Sequence, residues 1–226
     1  MFRRLTPLLA LAVLMLLNRP AFAEDKPDTS TPKGVASAFF KAMETGDATA
    51  ARAMATGNDK QLAILDVLVP VVHGFKQLEI AAVKKWGDEG RKTLTQGQGG
   101  ASSFDFNEQI KTAKEEITGE TAIITPANAG QDKKDPMKLK KVDGKWKLDM
   151  ASIPAEGIED PTTTKMLKAM ADIAKSTATE IDQGKYESPA KAKEAMGQKI
   201  LPLIMAAQGN ANEQPKEQPK KEDPKK

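Results

Sequence analysis

Asp143-Gly144 separates two short runs of alternating residues, Met137-Lys138-Leu139-Lys140-Lys141-Val142 and Lys145-Trp146-Lys147-Leu148-Asp149-Met150. A two-residue hairpin turn needs positive φ at both central positions, which Asp-Gly supplies at low cost. After the turn, Trp146, Leu148 and Met150 share one face by the two-residue strand period. The chain must therefore contain an antiparallel sheet with one apolar face. A second hairpin is expected upstream, from Glu115-Glu116-Ile117-Thr118 through Gly119-Glu120 to Thr121-Ala122-Ile123-Ile124-Thr125.

Helix punctuation flanks this sheet on both sides. Thr31 caps and Pro32 opens a first helix, with Val35, Phe39, Ala42 and Met43 at helical spacing before Gly46. Asp47 opens a short second helix that stops at Gly57. Asn58 or Asp59 opens a third that runs to Trp86, with Pro70 expected to kink or divide it and Gly87 just past its end. Residues 87–103 and 127–135 read as loops. Asp160-Pro161 starts a helix bearing Met166, Met170, Ile173, Thr177 and Ile181, closed by Gly184. Ser188-Pro189 starts another through Ala192, Met196, Ile200 and Leu203. Helices, then hairpins, then helices is an α+β order.

The ends of the chain read differently. Met1-Phe2-Arg3-Arg4, the apolar run Leu5 to Leu17 and the small-x-small Ala21-Phe22-Ala23 form an export signal at 1–23, cleaved after Ala23. The run is too short for a membrane span of ~20 residues. Residues 24–31 form a flexible lead-in, and the Pro/Lys/Glu tail 209–226 is expected to be disordered. Periplasmic or secreted localisation follows. The chain has no cysteine to carry a lipid and no Asn-x-Ser/Thr sequon, which fits a bacterial source.

Composition narrows the chemistry. The three arginines of the signal account for the whole +3 excess, so the rest balances its 31 acids with as many bases. No nucleic-acid partner is expected from that balance. The absence of cysteine excludes thiolate catalysis and thiolate metal sites, and a single histidine excludes a multi-histidine site within one chain. No cofactor or metal motif is present.

Two local patterns bear a resemblance. Ala38-Phe39-Phe40-Lys41-Ala42-Met43-Glu44-Thr45-Gly46-Asp47 ends a first helix in Gly-Asp before a small second helix. Leu139 to Leu148 makes a final hairpin with a Trp just after its turn. Together they resemble the nuclear transport factor two-like superfamily, in particular small exported bacterial members of unknown function, over residues 32–152. The resemblance implies N-terminal helices packed on a curved antiparallel sheet, a cone whose open end often holds a ligand. Residues 153–208 then form a C-terminal helical extension without counterpart in the minimal fold, and strand signal is sparse between Phe104 and Lys114.

Candidate sites follow from these elements. His73 is the only side chain with an unperturbed pKa suited to proton transfer near neutrality. The wheel places it about 200° from Phe75 and away from the apolar face Leu68, Val71, Phe75, Leu78, Ala82 and Trp86, so it is expected in solvent, on the side of Asp66 but two turns from it and out of contact. Enzymes of the resembled superfamily often place a His or Asp inside the cone. Asp105 and Glu115 are the carboxylate candidates there, with Glu108 and Glu116 nearby. Asp149 is expected to face water. Trp146, Phe104 and Phe106 are candidates for lining a ligand pocket, though they serve a core equally well. The leading functional expectation is a non-enzymatic exported protein binding a small apolar ligand or an envelope protein through the cone or the extension. One alternative is a lyase, isomerase or hydrolase using a cone carboxylate with His73. Another is an assembly module, a homodimer formed through 160–207.

Overall fold

The computed structural model describes residues 28–95, 106–126, 136–153 and 157–211. The expected export signal, the 127–135 loop, most of the C-terminal tail, Phe104 and Asp105 lie outside the described residues. Helix α1 spans Pro32–Thr45, with Thr31 Oγ1 accepting the Gly34 N–H as its cap. Helix α2 spans Ala48–Ala53, and Asp47 accepts the Ala50 N–H at 2.9 Å. Strand β1, Ala55–Thr56, follows directly. Helix α3, Asp59–Ala63, opens with a reciprocal capping box between Asn58 and Gln61.

Helix α4 spans Leu65–Thr95. The expected single third helix is in fact interrupted at Ile64, and Pro70 sits inside helical structure without breaking it. The carbonyl that a proline at 70 leaves unbonded belongs to Asp66, an exposed residue, where water can serve it. The true break is at Gly87 (φ 63°, ψ −146°), after which the chain resumes as helix to Thr95. The first part of the expected loop is therefore helix, anchored by the buried Leu94, and residues 96–103 lie outside the described residues.

Helix α5 spans Phe106–Thr112, in the stretch where strand signal is sparse. Strands β2 (Lys114–Thr118) and β3 (Thr121–Thr125) form the first hairpin, and β4 (Met137–Val142) and β5 (Lys145–Asp149) the second. Asp143 (φ 51°) and Gly144 (φ 74°) both take the left-handed conformation that their turn requires. The five-stranded sheet has the order β1-β5-β4-β3-β2, antiparallel except for the parallel β1–β5 pair. Helices α6 (Pro161–Asp182) and α7 (Pro189–Ala211) complete the α+β chain. Among the described residues, no helix is long and apolar enough to cross a membrane.

Two apolar cores result. The first joins Val35, Phe39 and Met43 of α1 and Leu65, Val69 and Val72 of α4 to the sheet face carrying Ile124, Leu139, Trp146 and Leu148. The second joins Phe75, Leu78 and Ala82 of α4 to Ala174, Ala178 and Ile181 of α6 and Met196 and Ile200 of α7. Helix α4 thus serves both cores, with its first half in one and its second half in the other. The C-terminal helices pack on the far half of α4, where an ideal Cβ on Gly74 would lie 2.7 Å from the Ala171 carbonyl oxygen.

Candidate functional site

His73 is half-buried, and its Nδ1 donates to the Glu44 carbonyl at 2.8 Å. The helical wheel places it in solvent, but a wheel with one buried side fails for a helix packed from two. The ring lies against Gly46, where an ideal Cβ would come within 3.1 Å. Its contact satisfies one of the last carbonyls of α1, which no helical N–H can reach. Asp66 does not assist it, being paired with Arg52 at 2.8 Å on the surface.

Glu115 is similarly committed. It points from β2 to the start of α1, where its Oε1 accepts the Lys33 N–H at 3.0 Å. A carboxylate at a helix N-terminus meets unpaired N–H groups and the positive end of the helix dipole. Glu116, on the other face of the strand, pairs with Lys114. Asp149 is buried and not solvent-facing as expected. It accepts from the Ala151 N–H at 3.2 Å and pairs with Lys140 at 2.7 Å, because the turn Met150–Ser152 closes over it.

Trp146 lies in the first core, with the Lys141 ammonium 5.7 Å from its ring centroid. Phe106 begins α5, whereas Phe104 and Asp105 fall outside the described residues. Among the described residues, the nominated His73, Glu115 and Trp146 are not gathered in one place. His73 closes one end of α1, Glu115 closes the other, and Trp146 packs between helices and sheet. Among the described residues, no three carboxylates or histidines gather to hold a metal ion.

Two further features are not apparent from the sequence reading. At the α6–α7 turn, Glu180 accepts from Lys185 and Lys199, both at 2.7 Å, and from the buried hydroxyl of Tyr186. Hydrogen bonds from Lys185, then Lys199, then Tyr186 hold the Glu180 carboxyl down at about 2. Burial, reinforced by Glu180, pushes the Tyr186 phenol up to about 12. Lys85 donates to the Tyr186 carbonyl at 2.6 Å, binding α4 to the same turn. This is a clamp, with each charged partner satisfied.

The second feature is the far end of α7. Leu201, Ile204 and Met205 are 57%, 42% and 64% exposed, although Ile200 beside them is buried. They recur at the spacing of one helix face. A signal for it exists in the sequence, since residues 200–207 contain no polar side chain. Elsewhere, an open groove of about 640 Å³ runs along α6, lined by Glu159, Thr164, Lys165, Lys168 and Asp172.

Compared with family models, with curated proteins and with solved structures, the chain matches none.

Proposed function

We propose that this chain is an exported, non-enzymatic assembly module whose α+β part is a nuclear transport factor two-like domain and whose helical extension docks a protein partner. The observation that carries this reading is the exposed stripe Leu201, Ile204 and Met205 at the end of α7. Exposed apolar residues grouped on one helix face stabilise association when a second apolar surface covers them. Further support comes from the committed state of His73 and Glu115. His73 Nδ1 serves one end of α1 and Glu115 Oε1 the other, so the two candidates of the enzymatic alternative stand at opposite ends of one helix and do not form a pair. The ligand-pocket alternative is disfavoured by Trp146, which fills core.

A photo-crosslinking amino acid at position 204, in cells that make the protein, tests the reading. Discrete adducts between whole protein chains are expected at 204 and not at position 172 on α6. No protein adduct at 204, or the same pattern at both positions, would overturn it.

A further inference from the structure

Strand alternation divides the sheet into two chemically distinct faces. Leu139, Trp146 and Leu148 face the helices and are buried. Their neighbours Lys138, Lys140, Lys145 and Lys147 therefore point to the opposite face, which the helices leave uncovered. Lys138, Lys140 and Lys145 are exposed and Lys147 is half-buried. Lys140 stands directly across from Lys147 in the β4–β5 register. Like charges directly opposite each other on a sheet destabilise it. Asp149 answers only Lys140, at 2.7 Å. Lys138, Lys145 and Lys147 have no carboxylate partner among the described residues. Lys114 on β2 extends the same face, paired to Glu116.

We propose that the outer face of β4 and β5 docks on an anionic phospholipid surface, with Lys138, Lys140, Lys145 and Lys147 as the headgroup-facing cations. This goes beyond the assembly reading and does not depend on it. The choice of occupant rests on charge complementarity and side-chain type. Protein interfaces concentrate aromatic residues and arginine and are depleted in lysine. The outer positions of β4 and β5 hold only lysines, Val142 and Asp149. They offer no ring on which a nucleic-acid base could stack and no guanidinium for bidentate recognition. Lysines set about 4.8 Å apart across strands and roughly 7 Å apart along them form a patch, not a line. A patch of ammonium groups meets many monoanionic headgroups at once and requires no fixed geometry from any of them. Lys138, Lys145 and Lys147 carry the attraction, with Lys140 shared between Asp149 and the headgroups, and each unpaired lysine near an anionic leaflet multiplies partition by about fivefold.

Co-sedimentation of the exported protein, purified from cells after removal of residues 1–23, with vesicles tests the proposal. One vesicle set is phosphatidylcholine alone, and the other is one-third phosphatidylglycerol. Binding is expected to the anionic set only, and to vanish near 1 M salt, where the screening length is about 3 Å. The double variant Lys145→Glu, Lys147→Glu should weaken binding by at least about 20-fold, because two attractions become repulsions. The carboxylate introduced by Lys147→Glu would face Lys140, so the sheet should hold, and far-UV circular dichroism checks this. Lys145→Gln with Lys147→Gln should give an intermediate loss. The equal charge change Lys165→Glu, Lys168→Glu on α6 should leave binding within about twofold, since those charges lie off the docking face. Equal binding to both vesicle sets would overturn the proposal, assigning attachment to an apolar segment. Equal losses in the sheet and α6 variants would also overturn it, leaving only net charge. Binding to duplex DNA or polyglutamate without binding to anionic vesicles would move the face to another partner class.

Discussion

Glu115 Oε1 accepts the backbone N–H of Lys33 at 3.0 Å, across 82 residues of sequence. One strand thereby closes the start of the first helix, and the sheet fixes where α1 begins. Because this carboxylate acts as a cap, Glu115→Ala should destabilise the fold by about 1 kcal/mol, and Glu115→Gln, which keeps an acceptor oxygen, by less. Thermal unfolding of the two variants measures the difference. A catalytic carboxylate would instead leave stability unchanged or improved on removal.

The crossing of α4 and α6 is set by Gly74. A methyl group at that position would stand 2.7 Å from the Ala171 carbonyl oxygen, which is backbone and cannot swing aside. Gly74→Ala should therefore cost about 2 kcal/mol through forced separation of the helices. Gly197 on α7 has no atom within 4 Å of its ideal Cβ. There the same substitution should stabilise by up to about 1 kcal/mol, as alanine does inside an unobstructed helix. Paired denaturant titrations read both signs, and equal effects would contradict the packing described.

Glu180 sets the acid limit of the helical bundle. Its folded pKa of about 2 lies below the ordinary 4.5, so the unfolded chain takes up the proton first. Its contribution is present above about pH 4.5 and fades as pH falls towards 2. Tyr186 has the opposite sign. Its phenol rises from 10.0 to about 12, so stability present below pH 10 is lost as pH climbs through that interval. Glu180→Gln should cost about 2 kcal/mol near neutrality, since hydrogen bonds to a charged acceptor are the stronger kind. It should also flatten both limbs, as followed by unfolding across pH.

Much of this fold is legible in local signals. Asp143-Gly144 specifies its turn because few residue pairs tolerate positive φ twice, and Thr31, Asp47, Asn58 and Asp160 each cap the helix they announce. Strand β1 is not legible. Two residues carry no period, and the pairing is created by β5, whose Leu148 N–H donates to the Met54 carbonyl at 2.9 Å. The position of His73 escapes the helical wheel because a sequence does not reveal that α4 is covered from two directions. The segment after Gly87 reads as loop because Leu94 is its lone large apolar residue. The Glu180 clamp joins residues from two helices and a turn, so no linear spacing reports it. The lysine face is different. Its alternation with Leu139, Trp146 and Leu148 is printed in the sequence, and only the pairing of β4 with β5 shows Lys140 meeting Lys147.

Ile204 lies on the exposed stripe of α7, so Ile204→Asp should change stability by no more than about 0.5 kcal/mol. A larger loss on unfolding would mean that the stripe belongs to the core.

The most direct test of the assembly reading is native mass spectrometry of the protein, gently purified from cells that make it, alongside Ile204→Asp. The account predicts a mass equal to whole protein chains in complex, reduced to a single chain by the substitution. A lone chain carrying a small extra mass that is lost on denaturation would contradict it and return the function to a bound small molecule.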